Sequence, residues 1–88
     1  MRIGLTLPTM MPGLDRPTLL AWCHRIDAGP FATLAAGERL TFANTEIMVS
    51  MAAAAAVTTR VELMLTVVVL PLHSAAVVAK QVATLDVL

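Results

Sequence analysis

Residues 61–72 read Val61-Glu62-Leu63-Met64-Leu65-Thr66-Val67-Val68-Val69-Leu70-Pro71-Leu72, a β-branched apolar run closed by a proline. The apolar residues are continuous instead of alternating, which predicts a parallel-sheet strand over residues 61–70, buried on both faces. From His73 the spacing becomes helical, so the strand hands over to a helix without a tight turn.

The same step occurs twice upstream. Ile3, Leu5 and Leu7 alternate with Gly4 and Thr6 and stop at Pro8, predicting a first strand. After a loop over residues 9–13, Asp15 is placed to cap a helix, with Pro17 in the first turn where its missing N–H would have no partner. Leu19, Cys23 and Ile26 form the inward stripe of that helix. Gly29 is expected to end it in the left-handed conformation, and Pro30 to prevent its resumption. Residues 31–36 read as the second strand and residues 37–43 as the second loop. Asn44 is the expected cap of a second helix that runs to about Thr59, with Glu46 in its first turn, favoured there by the helix dipole. Ile47, Met51, Ala54, Ala55 and Thr58 share one face of it. Ser74 is the expected cap of a third helix, buried through Ala75, Val78, Val82 and Leu85.

Three βα units with short loops predict an α/β fold whose parallel strands follow sequence order through right-handed crossovers. The completions are a doubly wound sheet or a (β/α)₈ TIM barrel. Gly4 and Gly13 are isolated, so the first strand does not lead into a G-x-G-x-x-G phosphate turn, and the barrel is favoured. A barrel takes eight units and about 250 residues. The 88 residues hold three units, so the chain is expected to be the N-terminal part of one barrel domain, truncated after the third helix.

Composition agrees with a part of something larger: 58% of the residues are hydrophobic and only 14% charged, unusual where most residues of a small domain meet water. The formal net charge is zero and aromatics make up 3%, which removes both the electrostatic and the base-stacking case for nucleic acid. A single cysteine, Cys23, has no internal partner and fits a reducing, cytoplasmic setting. Residues 3–7 are too short a run for a signal peptide, so no export is expected. Residues 47–57 and 63–72 are each too short to span a bilayer.

The order Ile3-Gly4-Leu5-Thr6-Leu7-Pro8, then Gly37-Glu38-Arg39, then the alanine run 52–56 with Val57-Thr58-Thr59-Arg60-Val61-Glu62-Leu63, then Val69-Leu70-Pro71-Leu72 and Ala79-Lys80-Gln81-Val82-Ala83-Thr84-Leu85-Asp86, resembles the bacterial luciferase-like superfamily. Its members are flavin-dependent monooxygenases and deazaflavin-dependent oxidoreductases built on a (β/α)₈ barrel. The resemblance runs through essentially the whole chain and is most specific from Ala52 onward. It implies FMN or a deazaflavin coenzyme at the C-terminal ends of the strands, where barrel enzymes place their sites. It also implies a small organic substrate and homo-oligomeric full-length relatives.

In many such relatives a bulge with a non-proline cis peptide supports the ring at the end of the third strand, which by motif falls on Thr66, Val67 and Val68. Deazaflavin relatives often carry Asp-His after the second strand. This chain has Glu38 and Arg39, losing that histidine while keeping a permanent cation suited to an anionic group. Met10, in the first loop, joins Glu38 and Arg39 as a candidate lining of a substrate or anion pocket, although methionine in a loop is usually adaptable packing. Where relatives read Leu-Arg-His-Pro after the strand proline, this chain reads Leu72-His73-Ser74-Ala75, and His73 reads as a capping neighbour. His24 is assigned no role, and Cys23 is a small core residue. No catalytic residue is assigned, and neither a metal-ligand spacing nor a nucleophile elbow is present.

The expected function is therefore that of a fragment of a luciferase-like flavin- or deazaflavin-dependent oxidoreductase or monooxygenase, inactive by itself. The alternative is a small hydrophobic helical protein, associated with a membrane or with partner helices through its alanine-rich face and without catalysis.

Overall fold

The computed structural model describes residues 1–88. Strand β1 (Gly4–Thr6) leads to helix α1 (Arg16–Ala28), β2 (Thr33–Gly37) to α2 (Ile47–Val57), and β3 (Glu62–Val67), through a single 3-10 turn (Leu70–Leu72), to α3 (Ala75–Val87). The strands form one parallel sheet in the order β1-β2-β3. Three consecutive βα units in sequence order are present, as the sequence predicts.

Register explains which residues enter the core. Leu5, Leu34 and Leu63 lie side by side across the sheet, and Ala36 beside Leu65 forms the next row on the same face. With Leu7, these pack against Cys23 and Ile26 of α1 and Ile47, Met48, Met51 and Ala54 of α2. Strands alternate their side chains, so Gly4, Thr33 and Glu62, and then Thr6, Ala35 and Met64, fall on the opposite face, which carries no helix. The core is thus one layer between the sheet and α1 with α2.

Several boundaries and roles differ from the sequence reading. Strand β3 is not buried on both faces: Leu63 and Leu65 are half-buried, while Glu62, Met64 and Thr66 are exposed. It is an edge strand covered on one side only, so its continuous apolar run leaves Met64 48% exposed. The strand also ends at Val67, not at residue 70, because the backbone at Val69 (φ −82, ψ 67) turns it into the 3-10 turn. The second strand starts at Thr33 instead of residue 31, although the Ala32 N–H still donates to the Ile3 carbonyl at 2.8 Å.

Asp15 caps α1 by accepting the Thr18 N–H at 2.9 Å, as expected, and its bonds from Thr18's side chain and backbone hold its carboxyl below the usual carboxylate range. For α2 the cap is Glu46, not Asn44: its carboxylate accepts the Val49 N–H at 2.7 Å, while the Asn44 side chain donates to the Thr45 carbonyl. Gly29 is extended (φ −86, ψ −175), not left-handed. Its lack of a Cβ serves close packing instead, since a Cβ there would meet the Arg25 carbonyl oxygen at 2.9 Å and the Phe31 ring at 3.0 Å. The stripe of α3 is half-buried through Val78, Gln81 and Leu85, whereas Ala75 and Val82 are exposed, because α3 rests mainly on α2 and has no helix on its other flank.

The ends of α1 and α2 are locked by Asp27. Its carboxylate accepts the N–H groups of Thr59 (3.0 Å), Arg60 (2.9 Å) and Val61 (3.0 Å) and the Thr59 hydroxyl (3.3 Å). Arg60 returns the bond, its guanidinium donating to the carbonyls of Asp27, Ile26 and Gly29. Partial desolvation pushes the Asp27 carboxyl up, but the donors from Val61, Arg60 and Thr59 together outweigh it and hold it at about 2.

Two outcomes follow. The folded carboxyl lies below its unfolded value near 3.8, so its stabilisation is fully present above that value and is lost as pH falls toward about 2. Asp27→Asn is expected to cost about 1–2 kcal/mol near neutral pH and to flatten the acid limb of the stability curve, read by urea denaturation at stepped pH. Gly29→Ala, despite an ordinary φ, is expected to cost about 1–3 kcal/mol through overpacking against Phe31 in the same assay.

Candidate functional site

The C-terminal ends of the three strands carry every candidate residue. At β2 the chain leaves Gly37 for Glu38, whose N–H donates to the Val67 carbonyl at 2.9 Å and so continues the β2–β3 ladder one residue past the strand. Opposite, Ala36 pairs with Leu65 but Gly37 pairs with Val67, so Thr66 is skipped and bulges. The Thr66 hydroxyl donates to the Ala36 carbonyl at 3.1 Å, filling the gap left by the register shift. Gly37 permits this approach: a Cβ there would lie 3.2 Å from the Thr66 hydroxyl oxygen.

The bulge expected at Thr66, Val67 and Val68 is therefore present, but every peptide bond in the chain is trans, so the expected cis bond is absent. The extra residue is absorbed by the register shift and the Thr66–Ala36 bond instead. Past the bulge Val67 is 54% exposed, and the backbone N–H and C=O of Val68 have no protein partner.

Glu38 and Arg39, adjacent in sequence, go opposite ways. Glu38 is buried: one carboxylate oxygen accepts the Val69 N–H at 2.6 Å and the other lies 2.7 Å from His73 Nε2. One side chain thus ties the end of β2 to both ends of the turn between β3 and α3. Arg39 is exposed, with no carboxylate at ion-pair distance, and its guanidinium lies 4.9 Å from the centroid of the Phe42 ring. Met10 is 40% exposed in the loop after β1. That loop meets the loop after β2 where the Thr45 N–H donates to the buried Thr9 carbonyl at 3.4 Å.

The structure brings Glu38 to His73, a pairing that sequence reasoning did not make, because 35 positions separate the two. The available signal was the histidine two residues after Pro71, on the loop adjacent to the one carrying Glu38. His24 is exposed on α1, away from this end. Cys23 is fully buried, and desolvation pushes its thiol up, keeping it protonated and inert as a core residue. Three grooves, of about 710, 640 and 480 Å³, lie along the helices: between α2, β3 and α3, between α2 and α3, and beside α1. They are gaps beside helices and hold none of the candidate residues.

A family model described as luciferase-like monooxygenase matches residues 2–88. The chain belongs to the luciferase-like monooxygenase family. No curated protein and no solved structure gives a match. The family is typically flavin-dependent. At the end of β3 in this luciferase-like chain, Val67 offers an exposed apolar surface, and Val68 has an unused backbone donor and acceptor beside it. The helical membrane alternative does not hold. No helix is long and apolar enough to cross a membrane, and the run it requires as helix contains strand β3.

Removing the Glu38 carboxylate leaves the Val69 N–H and the His73 ring without their acceptor. Glu38→Ala is expected to cost about 2–3 kcal/mol by denaturant titration and to speed hydrogen exchange at the Val69 amide. Glu38→Gln, which keeps an acceptor oxygen, loses less.

Proposed function

We propose that this chain forms the first three βα units of a (β/α)₈ barrel that binds FMN or a deazaflavin coenzyme and works on a small organic substrate. The observation that supports it is the end of β3, where a bulge turns Val67 outward and leaves the Val68 backbone unpaired, next to the loop that starts at Glu38. In this reading Thr66, Val67 and Val68 form one wall of the ring site. Thr66 acts only indirectly, since its hydroxyl is spent on Ala36 and holds the bulge in shape.

Arg39, exposed and unpaired with any carboxylate, is the group for an anionic part of substrate or cofactor. Glu38 serves from behind, fixing the β3–α3 turn, and Met10 lines the rim with adaptable apolar surface. When bound, the flavin or deazaflavin supplies the electron chemistry, and the protein orients it and excludes water. The helix-free face carrying Thr6, Ala35 and Met64 becomes the barrel interior in this arrangement, which accounts for an exposed methionine in the middle of a strand. In this reading the barrel is cytoplasmic and homo-oligomeric.

Co-expression with a segment carrying the fourth to eighth βα units of a luciferase-like barrel tests this. A soluble complex that quenches FMN or deazaflavin fluorescence is expected. Val67→Asp, at an exposed position, should weaken binding at least about tenfold, equivalent to roughly 1.4 kcal/mol. A stable complex that binds neither coenzyme rejects the reading.

A further inference from the structure

We propose that His73 is a hydrogen-bond and proton acceptor for a hydroxyl-bearing ligand, set in that role by Glu38. The proposal rests on the reading above only in placing the ligand at the C-terminal ends of the strands. The geometry carries the rest. His73 Nε2 lies 2.7 Å from Glu38 Oε1, and the Glu38 side chain is 3% exposed, so this carboxylate is almost entirely shut off from solvent. Its other oxygen is already taken by the Val69 N–H. A carboxylate can only accept, so Nε2 must be the protonated nitrogen, and in the neutral ring the lone pair is then on Nδ1.

Nδ1 has no protein partner. No side-chain nitrogen or oxygen buried in this structure lacks a hydrogen bond, so the unpartnered Nδ1 reaches the surface, in agreement with the 21% exposure of the His73 side chain. An imidazole with one nitrogen tied to a buried carboxylate and the other open is the arrangement by which a carboxylate fixes the tautomer and orientation of a histidine. Arg39, next to Glu38 in the chain, is turned to solvent and cannot play this part.

The step is a proton transfer. The ligand O–H bond breaks, the Nδ1 lone pair takes the proton, and the imidazolium formed faces the Glu38 carboxylate. The pair changes from a net charge of minus one to zero while the ligand oxygen gains minus one. Glu38 is a positioning residue and His73 the group that touches ligand.

Nitrogen-15 NMR of the imidazole rings in the full 88-residue chain, under mildly alkaline conditions and with phenol as the hydroxyl probe, tests the proposal. The proton is expected on Nε2 of His73, with a bare Nδ1 whose resonance moves saturably with phenol while His24 stays unmoved. Glu38→Gln should give a mixture of tautomers. His73→Gln is the discriminating variant: its amide N–H can replace Nε2–H on Glu38 but it has no Nδ1. It should keep slow exchange at the Val69 amide while phenol affinity, read at the Leu72 and Ser74 amides, falls at least about tenfold. A proton on Nδ1, a doubly protonated ring, an Nδ1 unmoved by phenol, or undiminished phenol binding in His73→Gln would overturn it. These readouts need no coenzyme, so a chain that passes them and fails to bind flavin in the complemented barrel overturns the earlier reading alone.

Discussion

The edge strand β3 is held by a carboxylate at each end. Asp27 collects the three N–H groups that lead into the strand, from Thr59 to Val61, and Glu38 collects the N–H of Val69 just past its exit. A strand with one open edge and one bare face gains little from burial, and Leu63 and Leu65 are only half-buried. Its position therefore depends on these charge-assisted bonds more than a central strand's would, since bonds to an ionised acceptor are roughly twice as strong as neutral ones. By contrast β2 is paired on both edges and its residues from Thr33 to Ala36 are buried, so ordinary packing fixes it.

The two carboxylates do different work because their partners differ. Asp27 is answered by Arg60, whose guanidinium stays charged and ties three carbonyls at the C-terminal end of α1. The Ile26 carbonyl also accepts the Gly29 N–H at 3.3 Å, and the arginine adds donors at a helix end whose last carbonyls are short of them. Glu38 is answered by a histidine, a group that exchanges a proton, at the end where the bulge and the open Val68 backbone lie. The family to which the chain belongs is typically flavin-dependent.

The order of elements was legible because it rests on local signals: alternation in residues 3–7, the Asp15 cap, the spacing of Cys23 and Ile26, and the switch to helical period after His73. Burial was less so. The run at 61–70 reads as a doubly buried strand because its composition suits a closed sheet, and apolarity records what a strand is suited to face, not what covers it in this chain. The same holds for Ala75 and Val82 of α3. Gly29 shows a different limit: a glycine at a helix end suggests a left-handed cap, but the reason here is the Phe31 ring 3.0 Å from where a Cβ would stand.

The candidate site was legible as positions but not as partnerships. Glu38, Arg39 and Thr66 were each found from motif order, yet what each can do depends on bonds spanning some thirty residues: Thr66 to Ala36, Glu38 to Val69 and His73. Read as neighbours in sequence, Glu38 and Arg39 suggest one shared pocket. In three dimensions a strand end sends successive side chains to opposite sides, so a buried acidic residue and a solvent-facing cation follow directly from adjacency. The acid is committed inward and cannot neutralise the arginine. The cation is thereby left for an outside anion, and the acid for the imidazole of His73.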